Sequence, residues 1–287
     1  MDIGGAAVTT EPRTQHDYGQ RDIEAARRVL VDLGQVLGSW FSDSIVVVGG
    51  WVPDLLLPDS EEPHVGSIDV DLALDADKLE EGRYAEIVRS LLATGRYEKS
   101  DHQYKLRAAV DLGDGGTAVV VEVDFLKAPR RRRRRKPERL VSGFRPLDAD
   151  GCAAAFVRPE HVPIEGKMIS GAQNRVNLLV ASVPDFLVMK AHALAGRDKP
   201  KDAYDICYCF DHAVGGLEAV ANAWRVRASD PLVVKAIEHL RAKFATIDSY
   251  GPRQVAVFYD ATSTDERDRY SRRAYELVDH FLRLLTP

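Results

Sequence analysis

The segment 45-IVVVGGWVPDLLL-57 decides the fold, because four β-branched residues run directly into two glycines. A short continuous apolar run of this kind is typical of a buried strand, and the apolar stretch from Trp51 to Leu57 predicts a short helix that ends at Pro58. Glycines between a strand and a helix either form a tight turn or let bare backbone approach a phosphate. No Gly-Lys-Ser or Gly-Lys-Thr follows, so the pair is not part of a Walker-type phosphate loop.

Acidic residues follow downstream of the glycines, on segments that have the alternating pattern of strands. Asp69 and Asp71 are two residues apart, and side chains two apart on a strand point to the same face. A later strand pattern offers Glu122 and Asp124 with the same spacing. Adjacent carboxylates repel each other unless a cation neutralises them, and Mg²⁺ prefers oxygen ligands that it shares with substrate phosphates. The pattern predicts a magnesium site, although a solvated acidic face on an exposed strand explains the same alternation.

Length and composition limit the classes of protein that fit. The chain has 287 residues, enough for one large domain or two smaller ones, and its 45% hydrophobic and 29% charged residues are ordinary for a globular protein. A net charge of −5 gives no overall basic field for nucleic acid. No apolar run approaches the roughly 20 residues of a membrane span, and the N-terminus lacks the pattern of a signal peptide. Three cysteines without framework or metal-ligand spacing predict reduced thiols and a cytoplasmic protein.

The order of these patterns predicts an α/β fold of the α+β type, in which a mixed sheet precedes a helical part. Residues 1–20 are polar and predict a flexible N-terminus, residues 21–182 mix strand and helix patterns in an α/β domain, and residues 183–287 predict a helical C-terminal domain. Within the second region, 113-GDGG-116 predicts a hairpin. Residues 153–166 predict irregular structure with strand fragments.

This arrangement of motifs resembles the polymerase-β-type nucleotidyltransferase superfamily: a strand that ends in a glycine pair, a helix, an Asp-x-Asp strand and a third acid on a later strand. The segment 184-PDFLVMKAHALAGRDKPKDAYDI-206 is similar to the helical motif of the AbiEii-like branch, which includes the toxins of type IV toxin–antitoxin systems. The residues that match this motif, in order, are Lys190, Arg197, Lys201, Asp202 and Asp205.

The resemblance implies a nucleotidyltransferase core over residues 21–182 and a set of site residues. The metal ligands expected from it are Asp69, Asp71 and Asp124, with Glu122 as the alternative third acid. The residues expected at the nucleotide are Gly49, Gly50, Ser67, Lys190, Arg197, Lys201 and Asp202. The residues expected to act in catalysis are Asp69, Asp71, Asp124, Lys190 and Asp205, and Asp202 is the alternative to Asp205. The chain departs from the family at Val65, where an Arg is common, with His64 beside it.

A run of six arginines, 130-RRRRRR-135, follows the strand that carries the candidate third acid. Like charges in such a run repel each other, so it is either a solvated loop or a segment that contacts the phosphates of RNA. No aromatic residue lies within the run, and base stacking is therefore not indicated. The residues expected to bind RNA are Arg130, Arg131, Arg132, Arg133, Arg134 and Arg135.

The motifs and the resemblance together predict an enzyme that depends on one or two Mg²⁺ ions and has an NTP as substrate. It moves a nucleoside monophosphate to an acceptor hydroxyl, with RNA as the expected acceptor and tRNA as the first candidate. The resemblance implies a toxin with a cognate antitoxin protein, and no membrane partner is expected. The alternatives are a protein acceptor, a small-molecule nucleotidyltransferase of the antibiotic-modifying type, and a catalytically silent binding protein with the same fold.

Overall fold

The computed structural model describes residues 11–75, 78, 83–129 and 144–285. Within these ranges the strands are β1 (Ile45–Val48), β2 (Val70–Leu74), β3 (Tyr97–Lys99), β4 (Lys105–Val110), β5 (Val119–Lys127), β6 (Leu147–Asp148), β7 (Glu160–Lys167) and β8 (Gln173–Val180). The α-helices are α1 (Gln20–Leu37), α2 (Trp51–Leu56), α3 (Arg83–Ala93), α4 (Val183–Gly196), α5 (Pro200–His212), α6 (Gly216–Arg225), α7 (Pro231–Lys243), α8 (Tyr250–Phe258) and α9 (Thr264–Leu284).

The strands form one mixed sheet in the order β3-β4-β5-β2-β1-β8-β7, and β6 pairs with β5. The central strand β1 is antiparallel to β2 and parallel to β8, and β2 is parallel to β5. All four residues of β1 are buried, as its continuous β-branched run predicts. The strands precede the long helices α4–α9 in the chain. The predicted fold class, a mixed-sheet core followed by a helical part, is therefore confirmed.

Two pairs of adjacent strands, β4 with β5 and β7 with β8, show where local sequence patterns predict the structure well and where they predict it poorly. The predicted hairpin is present, and Val110 pairs with Val119 across the turn between β4 and β5. In contrast, the prediction of strand fragments in residues 153–166 understates the strand there, because β7 pairs with β8 along its whole length. Strand β7 lies at the edge of the sheet, most of its side chains are exposed, and it contains Pro163. An edge strand tolerates proline and needs no apolar alternation, so the sequence pattern was too weak to predict it.

The hydrophobic core is continuous from the sheet into the C-terminal helices. Leu30 on α1, Val47 on β1 and Phe125 on β5 are buried in the same cluster as Phe186 on α4 and Phe281 on α9. This shared core connects α4 and α5 to the part of the chain that carries the sheet, and it holds their charged residues in fixed positions. The predicted boundary near residue 182 falls between β8 and α4, and the division into domains stays a prediction.

The N-terminal residues are only partly described. Residues 1–10, half of the predicted flexible terminus, lie outside the described residues. Beyond them, a 3₁₀ turn spans Gln15–Asp17, and Tyr18 is buried with its ring 5.5 Å from the Lys201 ammonium. None of the helices in the described ranges combines the length and the apolar content needed to cross a membrane.

Candidate active site

The register of the sheet places three carboxylates together at one end of its central strands. Asp71 lies opposite Val48 on β1 and opposite Asp124 on the parallel strand β5. Asp69 directly precedes β2, and its carbonyl accepts a hydrogen bond of 2.7 Å from the indole of Trp51 on α2. We call Asp69, Asp71 and Asp124 the acidic cluster.

The alternative third acid, Glu122, lies two residues before Asp124 on β5. It pairs with Arg107 on β4 instead of facing β2. Its carboxylate accepts a hydrogen bond of 2.6 Å from Lys105 and is also 3.4 Å from the Arg107 guanidinium. The structure therefore brings Asp124 beside Asp71, and it gives Glu122 two cationic partners away from the acidic cluster.

The two glycines allow charged groups to approach the turn between β1 and α2. A Cβ on Gly49, which has a φ of +71°, would lie 1.9 Å from the Asp71 carboxylate. A Cβ on Gly50 would lie 2.7 Å from the Ser67 hydroxyl and 2.8 Å from the Lys201 ammonium. Only glycine leaves this space free, so the pair does more than form a turn. It lets one carboxylate and one ammonium group contact bare backbone.

The pKa values in the acidic cluster are unequal, because the three carboxylates are crowded in a poorly solvated place. Burial would raise the pKa of Asp69, but Lys199, the Ser67 hydroxyl and Lys201 together lower it. Burial and the charge of Asp69 raise the pKa of Asp71. Burial and the charge of Asp71 raise the pKa of Asp124 to about 8. The surroundings therefore do not neutralise three ionised carboxylates, and the cluster retains a proton near neutral pH unless a cation is added.

The donor set of the acidic cluster fits a hard divalent cation. Asp124 Oδ1 is buried and accepts no hydrogen bond, although Lys105 Nζ lies 3.4 Å away. In the part of the chain that the structure describes, no three His, Cys, Asp or Glu side chains form a ready-made metal-binding group. Mg²⁺ does not require one, since it is commonly held by one or two carboxylates together with substrate phosphates. Repelling carboxylates with a spare buried oxygen suit that mode of binding.

A second cluster of charged residues lies on α4 and α5 and at the residue that directly follows α4. It brings together all five residues that match the helical motif of the AbiEii-like branch. Lys190 Nζ is 2.7 Å from Asp202 Oδ1 and 2.7 Å from Asp205 Oδ2. Lys201 Nζ donates to Asp205 Oδ1 at 2.8 Å. Arg197 binds Asp202 through Nε at 2.7 Å and Nη2 at 2.9 Å. We call Lys190, Arg197, Lys201, Asp202 and Asp205 the ion network.

Four members of the ion network are buried, and the Arg197 side chain is 52% exposed. Burial alone would raise the pKa of Asp202, but Lys190 and Arg197 outweigh it and lower the pKa to about 2. Lys190 and Lys201 likewise overcome burial and hold the pKa of Asp205 well below its ordinary value. Three cations and two carboxylates leave one positive charge in excess. Buried ions are costly, and perturbed groups of this kind are typical of functional sites.

Three residues at the site carried no assigned role in the sequence interpretation. Lys199 is the cation with the largest effect on Asp69, and Lys105 bridges Glu122 and Asp124. His64 Nε2 lies 2.9 Å from Asp205 Oδ1. Lys199 stands beside the helical motif and Lys105 on a predicted strand, so position alone could have suggested them. The predicted RNA-binding residues 130–135 lie outside the described residues.

Comparisons with known proteins identify a family for the chain. A family model described as the nucleotidyl transferase AbiEii toxin of type IV toxin–antitoxin systems matches residues 62–246. No curated protein matches the chain.

Two crystal structures are similar to parts of the chain. An antigenic nucleotidyltransferase-like protein from Paracoccidioides brasiliensis is 18% identical over 74% of this chain and 93% of its own, with a TM-score of 0.37. JHP933 from Helicobacter pylori is 10% identical over 93% of this chain and 94% of its own, with a TM-score of 0.40.

Proposed function

The chain belongs to the AbiEii family of nucleotidyltransferase toxins, and we propose that it transfers a nucleoside monophosphate from an NTP to an acceptor hydroxyl in a Mg²⁺-dependent reaction. One observation carries the proposal: the acidic cluster and the ion network meet at the glycine turn. Asp71 reaches Gly49, and Lys201 reaches Gly50. A site for a metal-bound triphosphate needs carboxylates and cations in this proximity.

The triphosphate is proposed to lie along the turn between β1 and α2. Bare backbone at Gly50 permits a close approach, and the Lys201 ammonium and the Ser67 hydroxyl flank that position. Arg197 remains half-exposed while it binds Asp202, so its guanidinium is accessible to a phosphate. Lys190 lies between Asp202 and Asp205 and orients both carboxylates. The excess positive charge of the ion network offsets the charge of the triphosphate.

The acidic cluster is proposed to hold the metal and to move the proton. Asp69 and Asp71 would hold Mg²⁺, which when bound neutralises phosphate charge and stabilises the leaving oxygen. Asp124 would accept the proton of the acceptor hydroxyl in its ionised form. Burial and the charge of Asp71 raise its pKa to about 8, and Mg²⁺ held by Asp71 would offset that charge, so the carboxylate would be ionised and still basic near neutral pH. The acceptor oxygen then forms a bond to the α-phosphorus as the bond to pyrophosphate breaks. Pyrophosphate leaves, and Asp124 releases its proton to solvent.

The acceptor is proposed to be RNA, with tRNA as the first candidate. The support is the arginine run 130–135, which follows β5 and Asp124 in the sequence. Membership of a type IV toxin family implies a cognate antitoxin. We place the reaction in the cytoplasm, a proposal supported by three buried free cysteines.

The test is incubation of the wild-type protein with Mg²⁺, total RNA and each NTP labelled at the α-phosphate. We expect label on RNA with at least one NTP, and no label with Asp69→Ala or when EDTA removes the metal. Label on protein alone would overturn the RNA acceptor, and label on small molecules alone would favour the antibiotic-modifying type. NTP binding by calorimetry without any transfer would favour a silent binding protein.

A matched pair of variants tests the third acid. Asp124→Asn is expected to lower kcat by about 10²-fold or more, because it removes the proposed proton acceptor. Glu122→Gln on the same strand should change kcat far less, since Glu122 has Lys105 and Arg107 as partners. Equal losses in the two variants would overturn the assignment of Asp124.

A further inference from the structure

His64 is a buried imidazole between the loop that precedes β2 and helix α5. Its side chain is 1% exposed. Nδ1 accepts a hydrogen bond of 3.1 Å from the backbone N–H of Gly66, and Nε2 lies 2.9 Å from Asp205 Oδ1. Since Nδ1 must offer a lone pair to Gly66, the proton of the neutral ring is on Nε2. His64 therefore donates a hydrogen bond to Asp205.

The attachment of the loop to α5 does not depend on His64 alone. The Tyr204 hydroxyl accepts a hydrogen bond of 3.3 Å from the N–H of Val65. The Tyr208 hydroxyl donates one of 2.8 Å to the carbonyl of Glu62. These two tyrosines hold the loop on either side of His64. His64 differs from the two tyrosines in that it also donates a hydrogen bond from a neutral ring to Asp205.

That donor acts on the carboxylate that positions Lys201. Asp205 Oδ1 accepts from both His64 and Lys201, and Lys201 Nζ in turn lies against Gly50. The hydrogen bond from the neutral His64 ring fixes the orientation of the Asp205 carboxylate without adding a positive charge. The negative charge of Asp205 therefore still attracts Lys190 and Lys201. A carboxylate without this donor would be free to rotate toward Lys190 and to draw Lys201 away from the turn.

We propose that His64 is a positioning residue, whose Nε2–H fixes the Asp205 carboxylate so that Lys201 is held at the triphosphate position. The inference rests on the proposed function, because it assigns Lys201 to the nucleotide. His64 does not contact the substrate in this role. It acts through Asp205 as the outer partner of a residue that orients a binding group.

Three variants separate the two hydrogen bonds of His64. The amide nitrogen of His64→Gln comes near the position of Nε2 and can donate to Asp205. The amide oxygen of His64→Asn comes near the position of Nδ1 and keeps only the bond to Gly66. We expect His64→Ala and His64→Asn to lower kcat/KM for the NTP by about 10- to 100-fold, mainly through KM. We expect His64→Gln to recover most of this loss.

Tyr208→Phe is the matched control, because it removes the two hydrogen bonds of the Tyr208 hydroxyl, to Glu62 and Ser60 of the same loop, and leaves the His64–Asp205 pair in place. It should lower the melting temperature about as much as His64→Asn, while KM for the NTP stays near that of the wild type. The proposal is overturned if His64→Asn retains activity and His64→Gln does not, or if Tyr208→Phe raises KM as much as His64→Asn does.

A measurement that does not depend on catalysis can test the contact between His64 and Asp205 independently of the proposed function. If the wild-type protein transfers no nucleotide, the proposed function fails, and the ¹⁵N spectrum of labelled histidine still tests the contact. We expect His64 as the neutral Nε2–H tautomer, with altered ring shifts in Asp205→Asn. An Nδ1–H tautomer, or ring shifts that Asp205→Asn leaves unchanged, would contradict it.

Discussion

The acidic cluster and the ion network differ in how far each is neutralised by the protein itself. In the ion network every carboxylate oxygen of Asp202 and Asp205 has a cationic nitrogen within 2.9 Å, and Asp205 Oδ2 alone among them accepts no hydrogen bond. In the acidic cluster Asp124 Oδ1 has only Lys105 at 3.4 Å, and the pKa values of Asp71 and Asp124 are raised. The carboxylates of the ion network are neutralised by the protein without a ligand, whereas an added cation would stabilise the ionised carboxylates of the acidic cluster.

The difference follows from the elements that carry each group. Strand register fixes the backbone positions of Asp71 and Asp124 side by side, so their carboxylates cannot separate. The buried partners in the ion network lie on two packed helices, where residues three or four apart share a face. Lys201 and Asp205 are such a pair on α5. We infer that the helices provide a preformed phosphate-binding half, and that the sheet provides a metal-binding half that charge repulsion keeps ready.

The largest effect is expected from Asp71→Asn. Loss of this proposed metal ligand should lower activity by about 10³-fold or more. Stability should not fall, because burial and Asp69 raise the pKa of Asp71 and its charged form is therefore unfavourable in the folded state. We expect an equal or higher melting temperature at pH 7. Glu165→Gln, on the exposed edge strand β7, is the control and should change neither quantity. A large drop in melting temperature would mean that Asp71 has a structural role.

The ion network is expected to respond in the opposite way. Lys190→Met leaves two buried carboxylates short of a partner, and breaking a buried pair costs about 3–5 kcal/mol of unfolding free energy. Lys235→Met removes an exposed pair with Glu238 and should cost less than about 1 kcal/mol. Urea unfolding measures both values. If Lys190→Met were as mild as Lys235→Met, the ion network would not be the preformed half of the site.

The acidic cluster and the ion network also differ in how much of each could be predicted from the sequence. Strand alternation predicted Asp69, Asp71 and a third acid, but only the register between β2 and β5 brings Asp124 beside Asp71. The family resemblance supplied all five residues of the ion network in order. His64 could not be predicted, because its partner Asp205 is 141 residues away and no local pattern marks the loop.

A rise in pH should change the unfolding free energy in opposite directions through the ion network and through the acidic cluster. The folded pKa of Asp202 is about 2, below its ordinary value of 3.8, so this carboxylate stabilises the folded state above pH 4. That contribution, about 2 kcal/mol, is lost as the pH falls from 4 toward 2. The free-energy difference between the wild type and Asp202→Asn should therefore shrink over that range. Asp71, with a raised pKa, disfavours the folded state as the pH rises above 4.

Unfolding free energies of the wild type, Asp202→Asn and Asp71→Asn between pH 2 and 7 test this contrast. Asp248→Asn is the control, since Asp248 is exposed and lies 3.9 Å from Arg253. Its difference from the wild type should stay below about 1 kcal/mol at every pH. A pH-independent difference for Asp202→Asn would show that its charge is not what stabilises α4 against α5.

The smallest effect is expected at the turn where the two groups meet. Gly50→Ala places a methyl group 2.7 Å from the Ser67 hydroxyl, 2.8 Å from the Lys201 ammonium and 3.0 Å from Ser67 Cβ. A small shift of these side chains relieves the contacts and leaves Lys201 paired with Asp205, so the cost in stability is small. Because a small displacement of a positioned group weakens binding, KM for the NTP should rise about tenfold with a nearly unchanged melting temperature. Gly196→Ala is the control, since a Cβ there meets nothing within 4 Å. If KM stays constant in Gly50→Ala, the triphosphate does not lie between Lys201 and the turn, and the two halves of the site do not share a ligand there.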